Sequence, residues 1–501
     1  MDIFSNLISG FHVVFQPINL LYCFLGVFIG TLIGVLPGIG PVGTISILLP
    51  STFGVPPLTG MIMLAGIYYG AMYGGSTTSI LVNIPGEAAS VVTCLDGYQM
   101  ARQGRAGPAL GISAIGSFIG GTFSLVALMF LVYPLAQVAL KFGPPEYFAL
   151  MCLGMTTVTY LAIGSLIKAV IMAIFGLILG CVGTDMFLGK LRFVFGISEL
   201  SDGISLISLA MGFFGISEVL TNIEKPLKRM VYEANIKHIL PNLEDWKESI
   251  GSIIRGSFIG FFLGILPGGG AILASFVSYS TEKKISKHPE KFGKGAIEGV
   301  AGPETANNAA TGGAFVPLLS LGIPPNAVMA LLLGALLIHG VVPGPMLVKQ
   351  HPDVFWGIIA SMYIGNGILL LLNLPLIGLW VKVLKVPYQI LFPLILLFTL
   401  IGSYSINNSI FDILIMVTFG AVGYVLRKFE YEEAPLILAF ILGPMLEQAF
   451  RQSLIMSNGN LRIFFDRPIS CGALLLSIAL FVSNGLKFFR KARGKVTQIE
   501  G

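Results

Sequence analysis

The sequence predicts an all-α integral membrane protein, and three observations lead there. Of 501 residues, 55% are hydrophobic and 11% charged, whereas soluble domains carry roughly 25% charge. Mean hydropathy is +0.86, more apolar surface than a soluble fold hides. Sixty-two glycines and 28 prolines sit largely inside the apolar stretches. There they weaken or break helices, which a membrane tolerates only where neighbouring protein satisfies the freed backbone.

A helix that crosses a bilayer needs roughly 20 mainly apolar residues. Such stretches fall around 18–36, 109–140, 146–182, 199–221, 252–281, 305–340, 353–382, 388–427 and 467–489. Several are long enough for two passes, so about 10 to 14 crossings are expected. The segment Met1 to Ile18 has neither a basic leader nor an A-x-A site, and no cleaved signal peptide is expected. Cys23, Cys94, Cys152, Cys181 and Cys471 are scattered without a C-x-x-C pair and read as small core residues. The formal charge of +5 bears on orientation rather than on nucleic-acid binding, which nothing suggests.

An internal repeat organises the chain. GVFIGTLIGVLPGIG at 26–40 and GSFIGFFLGILPGGG at 256–270 agree at nine of fifteen positions without a gap. In the same order, Gly74-Gly75 leads to Ile84-Pro85 in the first copy (26–85), and Gly312-Gly313 to Ile323-Pro324 in the second (256–324). Duplicated, interrupted hydrophobic segments are the best sequence pointer to a transporter's binding site. Thr281 to Gly295 carries five lysines, whereas its counterpart Ser51 to Pro57 carries no charge. By the positive-inside rule the first is cytoplasmic and the second is not, so the repeat is expected to be inverted. Arg102/Arg105, Lys225 to Lys247 and Lys487 to Lys495 are also assigned to the cytoplasmic side. The expected divisions are a first membrane half (1–221), a charged connector (222–250), a second half (251–490) and a basic tail (491–501).

Leu36-Pro37-Gly38-Ile39-Gly40-Pro41 and Leu266-Pro267-Gly268-Gly269-Gly270 are too rich in proline and glycine to continue a helix. Each is expected to form a hairpin tip or an unwound break at membrane depth. Backbone N–H groups there attract anions, and free carbonyls near Gly38 and Gly268 can hold Na⁺. The competing reading is close helix packing, which Gly26/Gly30/Gly34 and Gly256/Gly260/Gly264 suit better than the tips do. Ser76, Thr77, Thr78 and Ser79, with Asn83, offer hydroxyl and amide groups that could bind a carboxylate without a buried charge. Back-bonding to their own helix is the alternative for two or three of them. Asn307, Asn308 and Thr311 have the same character, with Asn307 and Thr311 on one helix face. Among Glu87, Asp96, Glu298 and Glu304, the last opens the polar stretch and is the best candidate for a coupling-ion ligand or proton carrier, although a helix-start carboxylate stabilised by the dipole accounts for it equally well. His12, His238, His288, His339 and His351 have no metal-ligand spacing, and no P-loop or G-x-S-x-G is present.

At this point the chain resembles the large membrane subunit of the tripartite tricarboxylate transporters, the TctA family. The resemblance rests on GTLIGVLPGIGP at 30–41, YGGSTTSILVNIPGEAASVVTCLDGYQMARQGRAGPAL at 73–110, GILPGGGAILASFVSYSTEKK at 264–284 and GVAGPETANNAATGGAFVPLLSLGIPPNAVMALLLGAL at 299–336. It implies a multi-pass protein of the bacterial inner membrane that takes up citrate or related carboxylates. The implied partners are a periplasmic solute-binding protein and a small membrane subunit of about four helices. The implied driving force is an ion gradient, usually Na⁺ rather than H⁺, with no other cofactor. Carried over by the same resemblance, the substrate or ion contacts fall on Pro37, Gly38, Gly40, Ser76, Thr77, Thr78, Asn83, Pro267, Gly268, Gly269, Gly270, Asn307, Asn308, Thr311 and Asn326. Two other classes remain open from the residues alone. One is a stand-alone channel or exporter of another solute. The other is a membrane enzyme using Glu87 or Glu304 with Lys168 as acid and base, which the lack of a paired catalytic constellation disfavours.

Overall fold

The computed structural model describes residues 3–36, 40–139, 141–161, 165–185, 187–224, 239–266, 268, 270–384 and 388–497. The first part of the chain runs through α1 (Ile3–Val14), α2 (Pro17–Val35), α3 (Gly40–Leu48), α4 (Pro57–Val82), α5 (Val91–Arg102), α6 (Ala106–Ala139), α7 (Pro144–Leu161) and α8 (Leu166–Gly180). A two-residue antiparallel pairing of Gly183–Thr184 with Leu191–Arg192 follows. Next come α9 (Leu206–Ala210), a π-helical stretch Met211–Ile216 and α10 (Ser217–Glu224). The second part holds α11 (Leu243–Ile265), α12 (Gly270–Ile285), α13 (Glu298–Gly313), α14 (Phe315–Leu321), α15 (Ala327–Ile338), α16 (Leu347–Gln350), α17 (Pro352–Asn373) and α18 (Ile377–Val383). It ends with α19 (Tyr388–Asn407), α20 (Ile410–Lys428), α21 (Ala434–Met456), α22 (Ile463–Asp466) and α23 (Pro468–Thr497).

Seven of the described helices are long and apolar enough to cross a membrane, and five shorter apolar helices accompany them. The architecture is that of an all-α integral membrane protein. Two long helices lie outside the stretches singled out by hydropathy. In α4 the run Gly74 to Ser79 dilutes the apolar signal, and in α21 Glu447, Gln448, Arg451 and Gln452 do so. The stretch around 109–140 holds one long helix, α6, whereas those around 146–182 and 388–427 each hold two.

The centre of the protein is polar. Every residue of α4 from Leu58 to Val82, and of α13 from Gly299 to Gly313, is buried. Small residues make this possible by bringing backbones together. On α2, Gly26, Gly30 and Gly34 face Met63, Ile67 and Ala71 of α4; on α11, Gly256, Gly260 and Gly264 face Gly302, Ala306 and Ala310 of α13. A Cβ at Gly30 would lie 2.8 Å from the Ile67 Cα, and one at Gly260 2.7 Å from the Ala306 Cα. The upstream glycines are therefore packing residues.

These contacts also give directions. Partner numbers rise together, so α2 runs parallel to α4 and α11 parallel to α13. Between α4 and α13 the order reverses, since Ser76 meets Glu304 and Tyr68 meets Phe315. The two copies thus enter the centre in opposite senses. Each central helix also ends in a left-handed residue just before its Ile-Pro pair, Asn83 (φ 57°) after α4 and Gly322 (φ 71°) after α14.

One face gathers the basic segments. Gln103 donates to the Lys294 carbonyl (2.7 Å), Arg105 pairs with Asp245, and Lys291 lies 3.8 Å from Glu248. Asp96 anchors this region, accepting from the backbone N–H of Gly293 (2.8 Å), Gly295 (2.8 Å) and Ala296 (2.9 Å), and from the Tyr279 hydroxyl (2.9 Å).

Candidate substrate and ion site

The antiparallel crossing of α4 and α13 builds the site. Glu304, 1% exposed, projects from α13 toward α4. Its carboxylate accepts from the hydroxyls of Ser76 on α4 and Thr93 on α5. Its backbone carbonyl accepts from Asn308 Nδ2 (3.2 Å) and Ser117 Oγ (3.4 Å), and Asn308 Nδ2 also donates to Ser117 Oγ (2.7 Å). The cluster therefore joins four helices.

Glu87, 8% exposed, caps the short turn before α5 and accepts from the Ala89 N–H (2.5 Å). Its other oxygen accepts from Asn307 Nδ2 on α13 (3.2 Å). The position is crowded, for a Cβ at Gly75 would sit 2.8 Å from Glu87 Cγ. Gly75 is thus the residue that lets this carboxylate approach α4. Neither Glu87 nor Glu304 has a salt-bridge partner among the described residues. The side-chain oxygens Asn307 Oδ1 and Asn308 Oδ1 are buried without any hydrogen-bond partner.

The other predicted residues fall as follows. Thr78 donates to the Val35 carbonyl (2.8 Å), tying α4 to the end of α2. Ser79 back-bonds to the Gly75 carbonyl (3.0 Å) and Thr311 to the Asn307 carbonyl (3.0 Å), as the bland reading of hydroxyls in helices foresees. Thr77 is buried in the same turn, and Asn83 is exposed at the helix end. Asn326 caps α15, accepting from the Met329 N–H (3.0 Å), while its Nδ2 donates to the Tyr68 hydroxyl (3.4 Å). Gly40 (φ 64°), Gly268 (φ 74°) and Gly270 (φ 50°) are left-handed, which breaks the chain between α2 and α3 and between α11 and α12. Gly268 N–H donates to the Pro325 carbonyl (2.7 Å), so the second break is stitched to the loop holding Asn326. Pro37, Gly38, Pro267 and Gly269 lie outside the described residues.

Thr93, Ser117, Tyr68 and Asn366 join the site without having been singled out in the sequence. A signal existed for α6: Ser113, Ser117 and Ser124 recur on one face of an otherwise apolar helix and are all buried. Lys168, by contrast, donates to the Phe429 carbonyl (2.6 Å) and lies beside Glu430, bonded to neither central carboxylate. A cavity of about 750 Å³ between α8, α15, α21 and the Asp202–Ile207 segment is lined by none of the predicted site residues. It touches Phe53 and His339, which places it at the uncharged loop face.

Comparison with known proteins bears on what such a centre serves. Residues 20–438 match the model of the tripartite tricarboxylate transporter TctA family. The chain belongs to the TctA family. A relative from Agrobacterium vitis, described as an uncharacterized 52.8 kDa protein in the TAR-I ttuC' 3' region, is 52% identical over 496 residues, covering 99% of each chain. A second protein of that organism, from the TAR-II ttuC' 3' region, is 53% identical over 237 residues, 47% of this chain and 98% of its own. No solved structure matches. The matched range runs from within α2 to the start of α21, so the whole polar centre of this TctA-family chain lies within it. Its coarse identity is that of a multi-pass membrane transporter.

Proposed function

We propose that this chain is the large membrane subunit of a binding-protein-dependent secondary transporter of the bacterial inner membrane, taking up citrate or a related di- or tricarboxylate with an ion gradient, sodium in first place. Family membership supports the substrate class. The observation that carries the coupling is the pair of buried carboxylates, Glu87 and Glu304, held by hydroxyls, an amide and a backbone N–H, with no basic side chain paired to either among the described residues.

A substrate carboxylate about 5 Å from an ionised glutamate is repelled by roughly 3 kcal/mol at an effective dielectric of about 20. A multiply charged anion therefore enters this centre only with a cation or proton that neutralises the glutamates. Entry of anion and cation together is symport. The substrate itself would be held by backbone N–H groups at the starts of α3 and α12 and by the second amide hydrogens of Asn307 and Asn326, with no basic side chain bonded to the central carboxylates among the described residues. Oppositely directed copies make alternating access a movement of one element against the rest.

Reconstitution tests the reading. Labelled citrate and other di- and tricarboxylates are offered to proteoliposomes holding the chain and its small partner, with and without the binding protein, under an imposed Na⁺ or H⁺ gradient. Uptake requiring the binding protein and one gradient is the expected result. Uptake indifferent to both overturns the proposal.

A further inference from the structure

Helix α8 is too short for the membrane it stands in. Its 15 residues span about 22 Å, whereas the hydrocarbon core is about 30 Å thick. Its first turn is fixed beside the end of α20, where Lys168 donates to the Phe429 carbonyl (2.6 Å). Its last turns pack on the middle of α21: a Cβ at Gly176 would meet the Leu436 carbonyl, and one at Gly180 the Phe440 carbonyl and Pro444. The two helices therefore run parallel. Beyond Pro444, α21 continues to Met456, about 18 Å past the level at which α8 stops.

The chain from Gly183 to Ile197 occupies that outer level. The pairing of Gly183–Thr184 with Leu191–Arg192 folds it back on itself, and its turn satisfies its own backbone. The Asp185 N–H donates to the Lys190 carbonyl (2.9 Å), the Asp185 carbonyl accepts from the Gly189 N–H (2.8 Å), and Asp185 Oδ1 accepts from the N–H groups of Phe187 (2.8 Å) and Leu188 (2.9 Å). Ion pairs clamp this hairpin to α21: Arg192 to Glu447 (2.9 Å), and Arg451 to Asp185 (3.0 Å) and Glu447 (2.6 Å). With its polar side held inward, the hairpin turns apolar side chains out. Phe187, Leu188, Leu191, Phe193, Phe195 and Ile197 are all exposed, Leu188 at 67% and Phe195 at 83%. The charged residues in that run are Lys190, which is exposed, and the ion-paired Arg192.

We infer that Gly183–Ile197 is an interfacial hairpin that lies in the lipid leaflet on the uncharged loop face, at the boundary of acyl chains and headgroups, and completes the crossing that α8 leaves unfinished. Lipid is the occupant because the apolar surface is continuous with that of α8, where Ile167, Ile171, Ile174 and Ile178 are exposed along one face at the spacing of a lipid-facing stripe. Aromatic rings with a basic side chain among them are the composition found at that level, and Lys190 can reach the lipid phosphates while its stem stays among apolar groups. Irregular backbone goes no deeper, because its remaining polar groups need headgroup water. The inference rests on the membrane class of the chain and not on what it transports.

The test places a nitrobenzoxadiazole label on Leu188→Cys or Phe195→Cys in the full chain, its native cysteines replaced by alanine, in lipid nanodiscs. Lipids with a doxyl quencher high on the acyl chain should quench both labels about twofold more than lipids with the quencher near the chain end, and iodide in the water should quench them little. A label at Ile178→Cys should show the reverse lipid order, and one at Asn458→Cys, in the loop after α21, should respond to iodide. Labels at 188 and 195 that respond to iodide and not to lipid place the hairpin in water and overturn the inference. So does lipid quenching that vanishes when the small subunit proposed above is reconstituted alongside, since protein then covers the face. A photoactivatable phenylalanine analogue at either position, in the chain with its native cysteines, repeats the reading without the alanine background. Adducts with phospholipid are expected, and adducts with protein alone, or none, refute it.

Discussion

Replacing Glu304 by glutamine separates charge from shape at the centre of the protein. The carboxylate is 1% exposed and takes hydrogens from Ser76 and Thr93. A glutamine fills the same volume, and its oxygen still accepts from one of the two hydroxyls. Its NH₂ needs the other hydroxyl to turn, and Ser76 can do so because the Met72 carbonyl is an alternative acceptor at 3.3 Å. Stability should therefore change by no more than about 1–2 kcal/mol, one charge-assisted bond set against the desolvation of a buried charge. Transport should change far more. A cation about 4 Å from an ionised carboxylate gains roughly 4 kcal/mol at an effective dielectric of about 20, and losing even most of that costs at least about 100-fold in ion-coupled uptake. Alanine at the same position leaves the buried Thr93 hydroxyl without its acceptor and opens a cavity, worth roughly 3 kcal/mol or more of stability. Initial uptake rates in proteoliposomes and melting of the detergent-purified protein read the two effects apart. A glutamine variant that takes up substrate at the native rate with unchanged ion dependence would refute the charge argument, and equal melting of the Gln and Ala variants would refute the packing argument.

Further expectations follow from the packing and the charge distribution. Gly30→Ala and Gly260→Ala push a methyl group against helix backbone and should each destabilise by about 1–3 kcal/mol in a thermal melt. Gly472→Ala on α23 meets nothing within 4 Å and should be neutral. Asp96→Ala removes the acceptor for three backbone N–H groups, so the Lys287, Lys291 and Lys294 segment should become readily cleaved by trypsin, while Asp96→Asn, which keeps one oxygen, should protect it better. Cysteine placed at Lys287 should react with an impermeant maleimide only from the cytoplasmic side, and cysteine at Ser51 only from the opposite side. Labelling of both from one side would contradict the opposed directions of the two copies.

Much of this organisation is local and so was legible in the chain itself. Hydropathy reports the lipid-compatible stretches, and proline and glycine report where a helix must stop; Gly40, Gly268 and Gly270 are left-handed where the breaks were expected. The matched glycines of the two copies announced close packing because only residues without a side chain admit a backbone at that distance. What the tertiary structure alone decided is which surfaces meet. The Ser76–Glu304 contact joins residues 228 apart in sequence, and nothing in the periodicity of α4 or α13 states that they cross antiparallel. Hydropathy passed over α4 because it scores lipid contact, whereas this helix is buried in protein on every side. The same shielding lets Glu87, Glu304 and the two asparagines lie at the centre, since a polar side chain survives at membrane depth only where other protein supplies its partners.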